Sequence, residues 1–249
     1  MPLLAPVWGL IGLLVVWEAI VRVAGIPPYL LPAPSGVATR LIDDPGYLVG
    51  HLANTALEAI LGVTIAIVVA CAMAVAIARS SLLERVMYPY LVLIQVTPIV
   101  AVAPLLIIWL GPGLEPKVVI AALIAFFPIV VNVAIGLKSS SPAALELMRS
   151  FAANERQVFR YVRVPSSLPF AFAAFRIAAP AAVVGAIVAE MVGSDKGLGF
   201  VIIRAKGILD TELLFLGIFG SAILGIALFL VVILVERRVL RSRRQPAAT

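Results

Sequence analysis

Residues 146–169 read ELMRSFAANERQVFRYVRVPSSLP. In a chain that is otherwise mostly apolar, this stretch holds Arg149, Arg156, Arg160 and Arg163, opposed only by Glu146 and Glu155. Its apolar residues, Phe151, Val158, Phe159, Val162 and Val164, recur at helical spacing. A basic amphipathic segment between two apolar runs is expected on the cytoplasmic side of a membrane. There it lies on the lipid surface or docks with a partner protein.

The composition around it fixes the class. Of the 249 residues, 63% are hydrophobic and 13% charged, with a mean hydropathy of +1.14. A soluble domain carries about 25% charged residues. The chain therefore reads as an all-α polytopic membrane protein. A net charge of +6 and a pI near 9.9 invite a nucleic-acid reading. However, the basic residues sit in a few loops and form no soluble face, so nucleic acid is excluded as a partner. Cys71 is alone in an apolar run and His51 is alone in an expected loop. Neither supports a disulfide, a metal site or a catalytic cluster.

Six apolar runs reach the roughly twenty residues that a bilayer-spanning helix needs. They cover about 3–23, 55–78, 86–110, 118–137, 170–192 and 213–235. The first lacks a basic start and a small-residue cleavage site, so it is expected to be a retained helix and not a signal peptide. The loop 25–51 is rich in Pro and Gly, with a short surface helix expected in its middle and Ser35 as its N-cap. The second run is rich in Ala and Gly, which permits close packing. Pro98 and Pro104 interrupt the third, which is expected to kink. Three regions follow: 1–54, an N-terminal helix and extracytoplasmic loop; 55–237, the membrane domain; and 238–249, a basic tail.

Orientation follows from counting Lys and Arg. Segments 79–85, 138–176 and 237–249 hold two, six and five, thirteen of the 19. That bias places the stretch 146–169 and both termini in the cytoplasm.

The spacing of 146–169 resembles the EAA loop of permease subunits of ATP-binding-cassette importers. In that motif E-A-A is followed by three residues, Gly, nine residues and I-x-L-P. Here the positions are Glu146-Leu147-Met148, Ala152 and Val162-Arg163-Val164-Pro165, so only the Glu and the Pro are identical. WEAIVRVAGIPPYLLPAPSGV, FFPIVVNVAIGL, LPFAFAAFRIA and AEMVGSDKGLGFVI are similar, in order, to the nitrate, sulfonate, taurine and pyrimidine branch. Within it, PIVAVAPLLIIWLGPGLEPKV and RQVFRYVRVPSSLP look closest to permeases for thiamine-precursor pyrimidines, with riboflavin permeases next.

The resemblance implies a helix-turn-helix that docks on a cytoplasmic ATPase through Glu146, Arg149, Ala152, Asn154, Arg156, Phe159, Arg163 and Pro165. The family's glycine sits at the turn, where a positive φ is free of strain. Ala152 would be strained there, so a differently wound turn is expected. The resemblance also implies a second permease copy, an extracytoplasmic binding protein, and ATP and Mg²⁺ bound by the partner ATPase. This chain has no Walker lysine loop and no nucleophile–base pair, so no catalytic role is expected of it.

Polar groups at bilayer depth tend to face a cavity or another helix. Gln95, Thr97, Asn132 and Glu190 are accordingly the candidates for a translocation path. Glu190 is alternatively a brace for the loop GSDKGLG, and Glu18 a partner of Arg22 four residues on. No span presents a basic residue at mid-depth, which suits an uncharged heteroaromatic solute better than a sulfonate or nitrate. An ion-coupled secondary carrier would show inverted repeats and a broken-helix ion site. A membrane enzyme would show a polar catalytic cluster. Neither pattern is present in the sequence.

Overall fold

The computed structural model describes residues 4–241, with side chains from 8 to 240. Met1 to Leu3 and most of the expected basic tail, 242–249, lie outside it. Among the described residues every regular element is helical. In chain order they are α1 (Leu4–Val23), α2 (Pro34–Asp43), α3 (Pro45–Arg79), α4 (Ser81–Val96), α5 (Ile99–Leu110) and α6 (Leu114–Lys138). Then come α7 (Pro142–Ser150), α8 (Glu155–Val158), a π-helical turn (Phe159–Arg163), α9 (Val164–Gly193), α10 (Leu198–Gly207) and α11 (Thr211–Arg241).

Four continuous helices are long and apolar enough to cross a membrane: α3, α6, the run from Glu155 to Gly193, and α11. The pair α4 and α5 would make a fifth. It is not the single kinked span that the sequence suggests, because the two helices are bent by 96°. A residue before proline is driven out of the helical region. Thr97 (ψ 122°) and Pro98 (ψ 108°) are accordingly both extended, and two extended residues in succession turn the chain. Pro89, Pro104, Pro128 and Pro180 stay inside helices. α1 adds an apolar helix of 20 residues.

The core is α3, α6 and α9, and small residues build it. Ala59, Ala66, Ala70 and Ala74 make a buried stripe on α3, and Ala174, Ala178, Ala182, Ala186 and Ala189 make another on α9. Both close on α6 at Ala121. A Cβ on Gly62 would lie 2.5 Å from the Ala121 Cβ, and one on Gly185 would lie 2.7 Å from its Cα. Lipid tails are as apolar as side chains, so helices in a membrane gain by close van der Waals approach. The alanine- and glycine-rich pattern of the second run supplies that approach.

At one end of this core, α2 and α10 lie against α3 and α11. α1 joins them through Trp17, whose ring packs on Phe215 and Phe219. Glu18 pairs with Arg22 at 2.5 Å, as the spacing suggests. The same carboxylate also accepts the Ser35 N–H at 3.0 Å and the Ser35 hydroxyl at 2.8 Å. Ser35 is therefore not the N-cap expected of it. Ala33 holds that position, Pro34 is the first helical residue, and a carboxylate from another helix caps α2. His51 likewise lies within α3 and not in a loop, because Asp44 caps that helix early by accepting the Tyr47 N–H.

Candidate functional site

At the opposite end the chain leaves α6, forms α7, turns, and re-enters the core through α8. The C-terminus of α7 closes in a Schellman pattern. The Ala153 N–H reaches the Met148 carbonyl at 3.0 Å, and the Ala152 N–H reaches that of Arg149 at 2.9 Å. Ala152 has φ 50°. The turn is thus wound as glycine would wind it, contrary to the expectation of a different path. An alanine in this left-handed region costs about 1–2 kcal/mol. The same bond pattern ends α1 at Gly25, φ 61°, where no Cβ is strained. Next, Asn154 and Gln157 form a reciprocal capping box that starts α8.

Pro165 explains the π turn. It lacks an N–H, and its ring would strike the carbonyl four residues back in an uninterrupted α-helix. The wider turn Phe159–Arg163, closed by the Val164 N–H on the Phe159 carbonyl, accommodates that proline without breaking the rod.

No residue of α7 is buried. Leu147 and Phe151 are 57% and 73% exposed beside Glu146 and Arg149, an apolar and charged face left uncovered by the described residues. Among the described residues, Arg149, Arg156, Arg160 and Arg163 form no ion pair. Arg79, at the end of α3, lies 4.5 Å over the Phe159 ring. Together with Glu155, Arg156 and Arg163 these two line a cleft of about 530 Å³. All eight residues expected to dock a partner therefore lie on the α7–α9 entry, with Pro165 shaping the backbone and Asn154 capping it.

The path candidates separate. Gln95 and Thr97 meet in a cavity of about 400 Å³ where α4 breaks into α5. Asn132 stands apart and gives its amide N–H to the Pro128 carbonyl one turn back, at 2.8 Å. Glu190 lies inside the helix packing. It is 1% exposed, and both of its oxygens are taken, by the Thr55 hydroxyl at 2.6 Å and the Gly199 N–H at 2.6 Å. The brace reading is the one its geometry fits.

That brace is larger than the sequence reading suggests. Lys117 on α6 faces Glu58 on α3 at 3.3 Å, both buried, and donates to the Ser194 hydroxyl at 2.6 Å. Thr55 accepts the Leu198 N–H at 2.8 Å, and the His51 Nδ1 accepts that of Gly197 at 3.0 Å. Gly197 has φ 95°, and a Cβ there would lie 2.1 Å from the Glu190 carboxyl carbon. The loop between α9 and α10 is therefore laid directly on buried carboxylate and hydroxyl groups. Glu58 carried a readable signal: an acid a few residues into an apolar run requires a partner. Its partner is 59 residues away on another helix, which no local spacing reveals.

Long apolar helices, a broken helix beside a largely aliphatic cavity and an exposed basic helix pair at one end fit a multi-pass membrane transport protein. The chain belongs to the family described as "Binding-protein-dependent transport system inner membrane component", which matches residues 62–244. It is 35% identical over 243 residues to the formylaminopyrimidine transport permease protein of Halalkalibacterium halodurans, covering 97% of each chain. It is 37% identical over 231 residues to the riboflavin transport system permease protein of Chloroflexus aurantiacus, covering 92% of this chain and 86% of that one. It is 28% identical over 233 residues to the taurine transport system permease protein of Escherichia coli, covering 91% and 85%. All three are named transport permease proteins, and this chain is a permease of the ATP-binding-cassette importer class.

Proposed function

We infer that the chain forms the translocation path of an ATP-driven importer for a small uncharged heteroaromatic, of which a thiamine-precursor pyrimidine is the best example. The observation that carries the importer reading is the α7–α8 entry: an uncovered apolar and basic helix-turn-helix joined without a break to a core helix. It offers a cytoplasmic ATPase a docking face, and that subunit would hold ATP and Mg²⁺. Six spans complete the path, with α1 and the pair α4–α5 counted as one each. Both termini face the cytoplasm, a second copy closes the passage, and an extracytoplasmic binding protein delivers the solute above α2 and α10.

Two relatives carrying heteroaromatic names over most of their length support the substrate class. So does the state of the basic residues near the core. Lys117 is neutralised by Glu58 and Arg176 by Glu236 at 3.4 Å, which leaves neither free to attract an anion. The 28% relative named for taurine marks the competing substrate class. Uptake in cells lacking their own carriers, with the partner subunits co-expressed, separates the two. Saturable uptake of formylaminopyrimidine or riboflavin is expected. Uptake of taurine alone would reject the heteroaromatic reading and keep the importer reading. Orientation is tested with single cysteines in a Cys71→Ala background: Asp43→Cys and Asp195→Cys should react with an impermeant thiol reagent in whole cells, and Ser150→Cys should not.

A further inference from the structure

The break between α4 and α5 leaves a cavity of about 400 Å³, within the range of small-molecule sites. Its walls include Ile99 and Val102 on α5 and Leu123 and Ile124 on α6, and no lining residue is charged. Two polar groups face these aliphatic walls. The Thr97 hydroxyl donates to the Leu93 carbonyl at 2.7 Å, so its oxygen lone pairs remain free to accept. The Gln95 carboxamide makes no hydrogen bond among the described residues, so its two N–H donors and its carbonyl are all available.

We propose that this cavity is a solute station within the path, in which Gln95 reads the edge of a planar, uncharged nitrogen heteroaromatic. A carboxamide offers a donor and an acceptor side by side. It matches two hydrogen bonds to a ring that presents an N–H beside a ring nitrogen or carbonyl, the pairing by which Gln and Asn read adenine. The aliphatic side chains of α5 and α6 offer the ring apolar contact, and Thr97 accepts one further N–H. An oxyanion such as a sulfonate has only acceptors. It would leave the Gln95 carbonyl unmatched and would enter a cavity without a counter-charge. A site built around one amide rejects solutes lacking its complement more strongly than a greasy pocket rejects a missing methylene. The sharp bend has a use here: a straight helix would bring its own side chains across the space that the break opens.

The proposal rests on the importer reading, and its test separates the two. The permease is assembled with its ATPase and binding protein in proteoliposomes, with formylaminopyrimidine, riboflavin and taurine as probes. Gln95→Leu should lower uptake of the heteroaromatic that the wild type carries by at least tenfold, at unchanged yield and melting temperature of the complex. Gln95→Asn, which keeps the amide, should retain more uptake than Gln95→Leu. In a Cys71→Ala background, the same heteroaromatic should slow modification of Thr97→Cys by a small thiol reagent several-fold during turnover. Full uptake by Gln95→Leu overturns the station. So does a Thr97→Cys rate that no probe alters, which decides the matter even where Gln95→Leu fails to assemble. Wild-type uptake of taurine alone overturns the heteroaromatic chemistry while the importer stands. Failure of the wild type to bind its ATPase would instead strike the importer reading itself.

Discussion

The two ends of this molecule treat charge in opposite ways. Around Glu190, three ionisable side chains from three helices are buried, and hydroxyls and backbone N–H groups fill the space between them. Around Ala152, Arg149, Arg156, Arg160, Glu146 and Glu155 stand exposed with Arg163 half-buried beside them, and none forms an ion pair among the described residues. Buried charge without a partner is very costly, so the first end is legible as a closed structural device. Exposed charge beside exposed Leu147 and Phe151 costs little in isolation and becomes useful only against another surface. The difference predicts that substitutions at the first end act on stability and that substitutions at the second act on assembly.

The strongest test removes one partner from the buried end. Lys117→Met should destabilise the fold by roughly 3–5 kcal/mol, because the buried Glu58 loses its cationic partner. Thermal unfolding in detergent would register it. Pairing it with Glu58→Leu should recover much of the loss, and no recovery would mean that Lys117 acts through Ser194 instead. At the exposed end, Glu146→Lys should weaken ATPase association at least tenfold, as charge reversals at interfaces do. Its melting temperature should not move. A drop in melting temperature with intact association would invert the contrast between the ends.

Thr55→Val probes the buried end more gently. The hydroxyl lost there donates to Glu190 and accepts from Leu198, and about 1–3 kcal/mol should go with it. The smallest effect has the opposite sign. Ala152→Gly relieves a positive φ at a cost in unfolded-chain entropy, for a net gain of about 0.5–1 kcal/mol in unfolding free energy. Destabilisation by glycine would show that the α7–α8 turn draws its stability from the Ala152 methyl.

Much of this was readable in the chain. The alanine and glycine spacing of α3 announced a close-packed helix, and the spacing of 146–169 located the uncovered end. The turn at Ala152 was misjudged because the residue type argues against a positive φ. Four consecutive bonds and caps, from Met148 to Gln157, outweigh that preference. The cluster of Glu58, Lys117 and Glu190 escaped notice because its members come from three helices and meet only after packing. The break at Thr97 was read as a kink because one proline usually bends a helix, whereas here two adjacent residues leave the helical region together.

The run from Glu155 to Gly193 is 39 residues without a stop. At 1.5 Å per residue it is a rod about 58 Å long. One tip is the capping box beside Arg149 and Arg156, and the other is Glu190, under the loop that leads into α10. Its buried face runs from Val158 to Glu190, with the alanine stripe Ala174 to Ala189 in the half nearer Glu190, so the rod is seated in the core along most of its length. A tilt imposed at Glu155 would therefore be felt along the whole packed face and not only at the far tip. The loop laid on Glu190 would follow through its hydrogen bonds and through the buried Leu198 beside it. In an importer, a continuous helix of this length would link the face offered to the ATPase with the loop at the other face.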